Sequence, residues 1–392
     1  MLVADGWLAN AGDAAIALAV DGLVRSVWPD AAVLHAAYHA DLVGDEVPEL
    51  DFVPPIDALL GVDGADPAPD TWASHGERLV RDADLVVSQG GGFLLEHYAP
   101  WPRLFAHVRV LDLGVPLVIL GQTIGTFRAA RARALLRRSL GAAAAVSVRD
   151  APSVAHAVEL GAGRSQVVQT SDLSLLLFPG PPEVRPEAMA GSGVAVVLTR
   201  HEQRTPGDNA DRARLSTQLL AEVLDRVTDQ RVTLLSTAQG LGAHGVEDDG
   251  EVARAAVTAL TPAERQRVDT IDGYIGPHAA IETLARQRAV VTQRLHPALF
   301  ALSQGIPTAL LVDADKVGVL DGVDLGPARC TRPADSRART AALDAVLAPN
   351  TRRGVQLWQS MAPARDRAAR NRDVLAHVLP AASPHAGPPI RA

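Results

Sequence analysis

Short apolar runs alternate along the chain with longer stretches in which apolar residues recur every three or four positions. In residues 211–228 the recurring positions fall on one face of a helix: Leu215, Leu219, Leu220, Val223, Leu224 and Val227. The short runs predict strands at Leu2–Ala4, Ala32–Leu34, Leu85–Ser88, Leu117–Leu120, Ala145–Val148, Val167–Gln169, Val194–Leu198, Val232–Leu235, Val268–Ile271, Val290–Thr292 and Thr308–Val312. This alternation predicts an α/β fold, with parallel sheets covered by helices on both faces.

One proline-rich stretch divides this pattern into two halves. Residues 179–192, PGPPEVRPEAMAGS, contain four prolines and two glycines and predict a domain linker. We therefore expect two Rossmann-like, doubly wound domains facing a cleft, one in residues 1–178 and one in residues 193–334. A helical region is predicted in 335–379, and the Pro- and Ala-rich end, 380–392, predicts a disordered tail.

Composition narrows the class of protein. The 392 residues carry 37 Lys and Arg against 45 Asp and Glu, a net charge of −8, which argues against a general nucleic-acid or membrane-surface binder. Cys330 is the single cysteine, so an intrachain disulfide and a Cys-rich metal site are excluded. Because no apolar run approaches about 18 residues and no basic segment opens the chain, we expect a cytoplasmic protein without a membrane span.

In an open parallel sheet, ligands bind beyond the carboxyl ends of the strands. Seven candidate residues follow predicted strands of the first half: Asn10, Asp13, Gly90, Gly91, Gly92, Gln122 and Arg149. Glycines at such turns let backbone N–H groups approach a ligand. Two structural interpretations stay open, because Asp13 also fits a helix N-cap and the three glycines also fit a tight turn packed against the sheet. None of these segments matches the G-x-G-x-x-G or Walker A patterns.

The residues that follow strands of the second half are cationic. Arg200, Arg294, His296 and Lys316 follow three of its strands, and Lys316 is the single lysine of the chain. Pro297 predicts the start of a helix that covers 298–304, so Arg294 and His296 are expected just before a helix N-terminus, where the dipole favours an anion. We therefore predict an anion site in this acidic protein, with a solvated surface as the alternative for any single arginine.

Other chemistries find little support. There is no H-E-x-x-H motif and no pair of histidines at metal-ligand spacing, so no metal is expected. A G-x-S-x-G nucleophile elbow and a phosphate loop with its lysine are also missing from the sequence. The acidic segment that contains Asp248 and Asp249 predicts a solvated loop, with a position that reaches the cleft as the alternative.

Five segments occur in a characteristic order: N-A-G-D at 10–13, Q-G-G-G at 89–92, G-Q-T-I-G at 121–125, S-V-R-D-A-P-S at 147–153 and R-L-H-P-A-L-F-A-L-S-Q-G-I-P at 294–307. Together with Lys316 they resemble the polysaccharide pyruvyl transferase family, over roughly residues 1–320. The resemblance implies a fold similar to GT-B glycosyltransferases, with the ligands between two Rossmann-like domains. It also implies transfer of the enolpyruvyl-derived unit of phosphoenolpyruvate to a sugar, usually as a pyruvate ketal across two hydroxyls.

Three positions depart from the family pattern. Thr126 follows Gly125 where members often have proline, and Thr292 stands where a serine is usual. The aromatic residue usually found a few positions before the lysine is absent, since Asp313-Ala314-Asp315 precedes Lys316. These departures leave the donor side better supported than the acceptor side.

Phosphoenolpyruvate carries a carboxylate and a phosphate, which suit planar arginine forks and a compact lysine charge. The expected donor-binding residues are Arg200, Arg294, Leu295 and Lys316. His296 is expected to act as the general acid/base that protonates C3, with Arg294 beside it in the catalytic pair. The seven first-half candidates, from Asn10 to Arg149, would then bind the acceptor.

Three alternatives remain at this point. A GT-B-like glycosyltransferase would hold the diphosphate of a nucleotide sugar on the same cations. A member of the family could instead be diverted to another small-molecule biosynthetic transfer, or the chain could be an inactive binding protein for an anionic metabolite. In the favoured interpretation the partners are a small-molecule donor and a sugar-type acceptor, and phosphoenolpyruvate is a co-substrate rather than a resident cofactor.

Overall fold

The computed structural model describes residues 1–43, 46–62, 75–98, 100–181, 193–199, 208–239, 248–312, 318–348 and 354–378. Arg200 and Lys316, two of the four cations predicted for the anion site, lie outside these ranges. Residues 182–192 of the predicted linker and the predicted tail, 380–392, lie outside them as well.

The first sheet has eight strands: β1 (Leu2–Trp7), β2 (Leu34–Tyr38), β3 (Phe52–Val53), β4 (Val86–Ser88), β5 (Gly91–Leu94), β6 (Leu117–Ile124), β7 (Ala145–Val148) and β8 (Val167–Gln169). All pairs are parallel, in the order β3-β2-β1-β4-β6-β7-β8, and β5 pairs with β6. The helices of this half are α1 (Ala11–Val27), α2 (Ala40–Val43), α3 (Ile56–Leu59), α4 (Gly76–Arg81), α5 (Trp101–Asp112), α6 (Ala130–Ala142) and α7 (Ala151–Glu159). Strand β4 is buried on both faces, which explains its continuous apolar run.

The second sheet has six strands: β9 (Val194–Val197), β10 (Val232–Leu235), β11 (Val268–Ile271), β12 (Ala289–Thr292), β13 (Thr308–Leu311) and β14 (Arg329–Cys330). They are all parallel, in the order β11-β10-β9-β12-β13-β14. The helices of this half are α8 (Asp208–Arg226), α9 (Asp249–Thr258), α10 (Pro262–Arg265), α11 (Pro277–Ala285), α12 (Leu295–Ser303), α13 (Ser336–Leu347) and α14 (Val355–Ser360). Strands β9, β12 and β13 are adjacent, so the residues that follow them meet at one edge.

The last described helix, α15 (Ala362–Ala376), packs on both halves: Ala364 and Ala368 share a core with Leu310 of β13, and the rest of the helix lies on the first sheet. Its Val374 and Leu375 belong to the same apolar core as β1 and α1. Its buried Asn371 accepts a hydrogen bond of 2.7 Å from the Ser147 hydroxyl, and that hydroxyl accepts one of 2.7 Å from the Gly121 N–H. Helix α15 therefore supports the G-Q-T-I-G segment through Ser147.

The two sheets meet through backbone pairing. Asn10 forms an antiparallel bridge with Ala238, directly after β10. The Ala11 N–H donates to the Thr237 carbonyl at 2.8 Å, and the Gln239 N–H donates to the Ala9 carbonyl at 2.9 Å. Apolar packing continues this junction, because Ala11 and Ala15 of α1 share a core with Val197, Phe300 and other residues of the second half. The carboxyl ends of β1 and β10 therefore face each other across the junction.

The observed elements confirm the α/β, doubly wound, parallel architecture and correct some boundaries. Strand β6 continues through Gln122 to Ile124, so Gln122 lies within a strand instead of after one. The glycine segment predicted as a turn enters strand β5 at Gly91. Helix α12 begins at Leu295 with Arg294 as its N-cap, so His296 lies inside the first turn rather than before it. The predicted domain limits stay a prediction.

None of the helices in the described ranges combines the length and the apolar character that crossing a bilayer requires.

Candidate active site

The first helix starts at the centre of the junction. Asn10 is its N-cap, and its side-chain oxygen accepts from the Gly12 N–H at 2.9 Å. Asp13 therefore lies in the first turn and is not the cap, which corrects the structural interpretation of that residue. Asp13 is 8% exposed and lies near Tyr274. Burial raises the pKa of Tyr274, and the negative charges of Glu46 and Asp13 raise that pKa further. Two of the predicted acceptor residues, Asn10 and Asp13, thus sit at the junction.

His296 reaches from the second half onto this helix start. A Cβ atom built on Gly12 would lie 2.0 Å from Nδ1 of His296, so the imidazole rests directly against the Gly12 backbone. Glycine is required at position 12 because any side chain would overlap the ring. The His296 side chain keeps 12% of its surface exposed, which leaves it accessible to a small ligand.

Asp172 is the carboxylate partner of His296, and the sequence analysis did not identify it. Its Oδ2 lies 3.5 Å from Nε2 of His296, a distance that suits an ion pair better than a well-formed hydrogen bond. Within the described part of the chain, Nε2 has no hydrogen-bond partner of good geometry. Nε2 of His296 is therefore held near Asp172 by charge, and its hydrogen bond is left open to a ligand.

Asp172 is itself fully buried and well supported. Arg149 donates from Nη1 to Oδ2 at 2.6 Å, and Ser174 donates to Oδ1 from its N–H at 3.0 Å and from its hydroxyl at 2.7 Å. Burial alone raises the pKa of Asp172, but the charges of His296 and Arg149 and the Ser174 donors outweigh it and hold that pKa far below its usual range. The carboxylate of Asp172 therefore stays ionised beside the imidazole.

Arg149 was predicted to contact the acceptor, and in the structure it also forms a hydrogen bond with Thr123. Its Nε donates to the Thr123 hydroxyl at 2.6 Å, and that hydroxyl donates to Asp150 at 3.1 Å. A Cβ atom on Gly92 would lie 3.6 Å from Nη2 of Arg149, so the glycine segment and this arginine are neighbours. The structure therefore brings Gly92, Arg149 and His296 into one site through Asp172.

The remaining glycines have a packing role. A Cβ atom on Gly90 would lie 2.8 Å from Cδ1 of Leu173 and 2.9 Å from the Gly121 carbonyl oxygen, and Gly91 has a φ of 138°. Gln122 is fully buried and donates from Nε2 to the Gln89 carbonyl oxygen. Because Gln122 is fully buried here, its predicted contact with an acceptor stays a prediction. The packing interpretation of the glycine segment therefore explains Gly90 and Gly91.

On the second half, Arg294 is tied to Asp249. Its Nε donates to the two carboxylate oxygens at 2.9 and 2.7 Å, and Oδ2 also accepts from the N–H groups of Thr237 and Ala238 at 3.2 and 3.1 Å. Asp249 is 1% exposed, so the predicted solvated loop is wrong at this residue. Burial raises the pKa of Asp249, and the Arg294 guanidinium opposes that shift. This ion pair fixes the orientation of the guanidinium at the start of α12.

The residues around Arg294 are held by short-range hydrogen bonds. The Thr292 hydroxyl accepts from the Arg294 N–H at 2.9 Å and donates to the Arg294 carbonyl at 3.0 Å, so threonine makes the contacts that a serine hydroxyl could also make. Gln293 accepts from the Thr199 N–H at 3.1 Å and thereby links the end of β9 to the end of β12. Leu295 is 7% exposed and packs in the core beneath the site.

The segment after β13 also approaches the first half. A Cβ atom on Gly318 would lie 2.8 Å from Cβ of Asp150, so residue 318 packs against the Arg149–Asp150 turn.

Within the described residues, no group of three or more His, Cys, Asp and Glu side chains is arranged to hold a metal ion.

Comparison with known proteins agrees with this architecture. Among solved structures, UDP-GlcNAc 2-epimerase from Neisseria meningitidis bound to UDP-GlcNAc has a TM-score of 0.58 at 11% identity, covering 96% of this chain and 99% of that chain. HepE from Anabaena in complex with UDP and glucose has a TM-score of 0.57 at 13% identity, covering 96% and 98%. UDP-GlcNAc 2-epimerase from Methanocaldococcus jannaschii has a TM-score of 0.57 at 9% identity, covering 96% and 98%. These similarities confirm a GT-B-like fold.

A comparison with curated protein sequences finds no match. The model of the polysaccharide pyruvyl transferase family matches residues 10–313, which begin at the N-cap of α1 and run past the end of β13. The match includes strands of both sheets as well as Arg149, Asp172, Asp249, Arg294 and His296. The chain therefore belongs to the polysaccharide pyruvyl transferase family and is a transferase enzyme.

Proposed function

We propose that this enzyme transfers the enolpyruvyl-derived unit of phosphoenolpyruvate to two hydroxyls of a sugar or sugar-containing metabolite, forming a pyruvate ketal and releasing phosphate. The observation that carries the proposal is the His296–Asp172 pair, 3.5 Å apart across the junction of the two sheets and next to Arg294. A protonated imidazole beside an anion-binding helix start is what protonation of an enol phosphate requires.

The donor is proposed to bind on the second half. Helix α12 directs its N-terminal N–H groups to the junction, and Arg294 is its N-cap. The Gln293 side chain accepts from the N–H of Thr199, the residue before Arg200, and Gln293 itself precedes Arg294. This link supports a shared site for both arginines. Arg200, Arg294 and Lys316 are the proposed partners of the carboxylate and phosphate, with Leu295 contributing its backbone at the first helical position.

The chemical steps assigned to the protein concern one proton. His296 gives a proton to C3 of phosphoenolpyruvate, and C2 becomes electrophilic as the double bond is lost. One acceptor hydroxyl forms a bond to C2 and gives up its proton, which restores the imidazolium. The C2–O bond to phosphate then breaks, the second acceptor hydroxyl forms a bond to C2, and its proton goes to the departing phosphate, which completes the ketal. Asp172 stabilises the charged imidazole before transfer, and Arg149 holds Asp172 in place.

The acceptor is proposed to bind on the first half, near the start of α1. Asp13 keeps part of its surface exposed there, and Gly92 lies beside Arg149 at the same edge. The Asn10 side chain is used as the helix cap, so its contribution to the acceptor is through the position of α1.

Two measurements test the proposal. We expect phosphoenolpyruvate alone to raise the melting temperature of the purified enzyme, and UDP alone to have no comparable effect. With phosphoenolpyruvate and a panel of glycosides carrying free hydroxyl pairs, phosphate release should depend on the glycoside, and the product should be an acid-labile ketal by mass spectrometry. Stabilisation by UDP and not by phosphoenolpyruvate would reject the proposal.

A nucleotide-sugar transferase is the second candidate, and one observation favours it. The neighbouring Anabaena structure contains UDP and glucose, and the Neisseria epimerase is bound to UDP-GlcNAc. A diphosphate would use the same helix start and arginines as the phosphate of phosphoenolpyruvate. The melting experiment with UDP separates the two candidates.

A further inference from the structure

Gly92 differs from the two glycines that precede it in the Q-G-G-G segment. A side chain at Gly90 would overlap Leu173, and the φ of 138° at Gly91 favours glycine. Gly92 is not among the residues with a positive φ, and the nearest atom to a Cβ built there, chain neighbours aside, is 3.6 Å away. That distance is an ordinary van der Waals contact. Neither backbone conformation nor packing therefore requires glycine at position 92.

Glycine is also an unfavourable residue at this place. Gly92 lies inside β5, where a glycine loses more conformational entropy on folding than a residue with a side chain. The pairing of β5 with β6 is irregular between Gly91 and Leu94, but Gly91 already supplies the unusual φ there. A further glycine in a strand often marks close approach by a ligand or by another backbone. The three atoms nearest to a Cβ on Gly92 all belong to side chains, which favours a ligand as the reason for this glycine.

The space in front of Gly92 has an apolar rim and one polar atom. A Cβ on Gly92 would lie 3.6 Å from Cδ1 of Leu95, 3.7 Å from Cε2 of Tyr98 and 3.6 Å from Nη2 of Arg149. Leu95 is half-buried and Tyr98 is exposed, so solvent reaches this side of the strand. A small group that enters here therefore meets the guanidinium of Arg149.

Arg149 has a nitrogen to spare for such a group. Nε donates to the Thr123 hydroxyl and Nη1 donates to Asp172, each at 2.6 Å, and no hydrogen bond of Nη2 is found within the described part of the chain. A guanidinium nitrogen of this kind carries N–H donors and accepts nothing. The group beside Gly92 therefore has to present an oxygen atom that accepts a hydrogen bond.

The charges around Arg149 favour an uncharged oxygen. Asp172 is in direct contact with the guanidinium, and Asp150 is joined to it through Thr123, whose hydroxyl donates to Asp150 at 3.1 Å. A ligand carboxylate would bring a third negative charge to one guanidinium, and like charges so close together repel. A hydroxyl group accepts from Nη2 without that repulsion.

This position is next to the proposed proton donor. Oδ2 of Asp172 accepts from Nη1 of Arg149 at 2.6 Å and lies 3.5 Å from Nε2 of His296, so the guanidinium and the imidazole meet at one oxygen. A hydroxyl bound by Nη2 is therefore a neighbour of the imidazole.

From this geometry we infer that the Gly92 backbone and Nη2 of Arg149 form a subsite for an uncharged hydroxyl group of the acceptor. Gly92 determines specificity there, because an alanine methyl group would hold the hydroxyl away from Nη2. The inference rests on the proposed function, since it takes the acceptor to be a sugar, and it adds that the sugar carries no acidic group at this position.

Gly92→Ala in the full chain tests the subsite. The probes are the methyl glycosides of glucose, galactose and mannose, which are neutral, and methyl glucuronide, which carries a carboxylate. Saturation-transfer NMR measures their binding. We expect the wild type to bind at least one neutral probe, and Gly92→Ala to bind that probe about tenfold more weakly, the loss expected for one hydrogen bond from a charged donor. The carboxylate of methyl glucuronide should not strengthen binding relative to methyl glucoside.

The donor should be unaffected by this substitution. Because the added methyl group of Gly92→Ala fits the fold, the melting temperature should be no lower than that of the wild type. Its rise with phosphoenolpyruvate should also match the wild type. A loss of that rise in Gly92→Ala would place the donor at Gly92 and overturn the inference.

The matched control is Gly141→Ala. A Cβ on Gly141 would likewise make only an ordinary contact, 3.5 Å from the Gly161 carbonyl oxygen, and Gly141 lies near the end of α6, at the opposite edge of the sheet. This variant should bind the probes as the wild type does. Equal binding of the neutral probes by Gly92→Ala and the wild type would overturn the inference, and so would a wild type that binds none of them.

Two further outcomes separate the subsite from the rest of the proposal. Tighter binding of methyl glucuronide than of methyl glucoside, abolished in Gly92→Ala, would overturn the assignment to an uncharged hydroxyl. A wild type without a phosphoenolpyruvate melting shift, but with glycoside binding that Gly92→Ala weakens, would reject the proposed donor and support the subsite.

Discussion

At the scale of single residues, the site depends on two buried ion pairs that differ in what they leave exposed. Arg294 is oriented by Asp249, and His296 is oriented by Asp172, which Arg149 supports in turn. Each carboxylate is almost completely buried, so each is costly to leave without its partner. Both pairs therefore contribute to stability, and both lie at the proposed site of the reaction.

The role of His296 is tested by substitution. His296→Asn keeps a polar planar side chain of similar size, so phosphoenolpyruvate should bind within about tenfold of wild type while turnover falls by roughly 10²–10⁴, the usual contribution of a general acid/base. Thermal-shift titration and phosphate release measure the two effects. Near-normal turnover in this variant would show that His296 is structural.

Arg294 is expected to behave differently. Arg294→Ala removes a proposed donor contact and leaves Asp249 buried without its cation, so we expect weaker phosphoenolpyruvate binding and a loss of about 3–5 kcal/mol in the free energy of unfolding. Urea denaturation measures the second effect. Arg294→Lys, which keeps the charge but not the fork, should recover part of the stability. An alanine variant as stable as the wild type would contradict the pairing with Asp249.

At the scale of elements, the start of α1 is built for close contact. Asn10 caps the helix, and Gly12 admits the ring of His296 from the opposite sheet. A glycine inside a helix costs about 0.5–1 kcal/mol relative to alanine. Gly12 therefore lowers the stability of the helix locally, and it allows the two halves to meet.

The contact between Gly12 and His296 predicts different effects for alanine substitutions at two glycines of α1. Gly12→Ala should lower turnover by at least about tenfold, equivalent to roughly 1.4 kcal/mol, because its Cβ would displace the imidazole. Gly22→Ala is the control, since nothing lies within 4 Å of a Cβ at that position, and it should raise stability by about 0.5–1 kcal/mol. Steady-state kinetics and chemical denaturation of both variants decide the matter. Equal kinetics in the two would contradict the contact with His296.

At the scale of the whole molecule, the His296–Asp172 pair, the Asn10–Ala238 bridge and α15 join the two sheets. Helix α15 crosses to the first sheet, where Asn371 binds Ser147 under the site. The relative position of the sheets therefore determines whether His296 meets Asp172.

The pH dependence of stability reports on this junction. Because the pKa of Asp172 is lowered on folding, its stabilisation is fully present above the unfolded value of about 3.9 and is lost as the pH falls further toward the folded value. The melting temperature of Asp172→Asn should thus lie below that of the wild type from pH 7 down to about pH 4. The difference should shrink at lower pH. A difference that has vanished by pH 6 would show that the carboxylate is not held as an ion.

Some features follow from local sequence because their cause is local. Strands β7 and β10 are largely buried and have the bounds that their sequence predicts, since a strand buried in a parallel sheet needs a mostly apolar run. The edge strands β8 and β11 also have their predicted bounds, although they are less buried. The family motifs likewise identify Arg294 and His296 as neighbours at the end of β12. The fold class and the family could both be predicted from the residues alone.

Other features depend on contacts between distant parts of the chain. Asp249 pairs with an arginine 45 residues away, and the acidic stretch by itself favours a solvated loop and does not identify that partner. Asp172 lies in a segment with no motif, and it becomes important because Arg149 and His296 converge on it from two different sheets. Likewise, only the tertiary structure shows that Gly12 is needed for the His296 ring. Charge pairing and steric fit act through space, so the folded chain decides them.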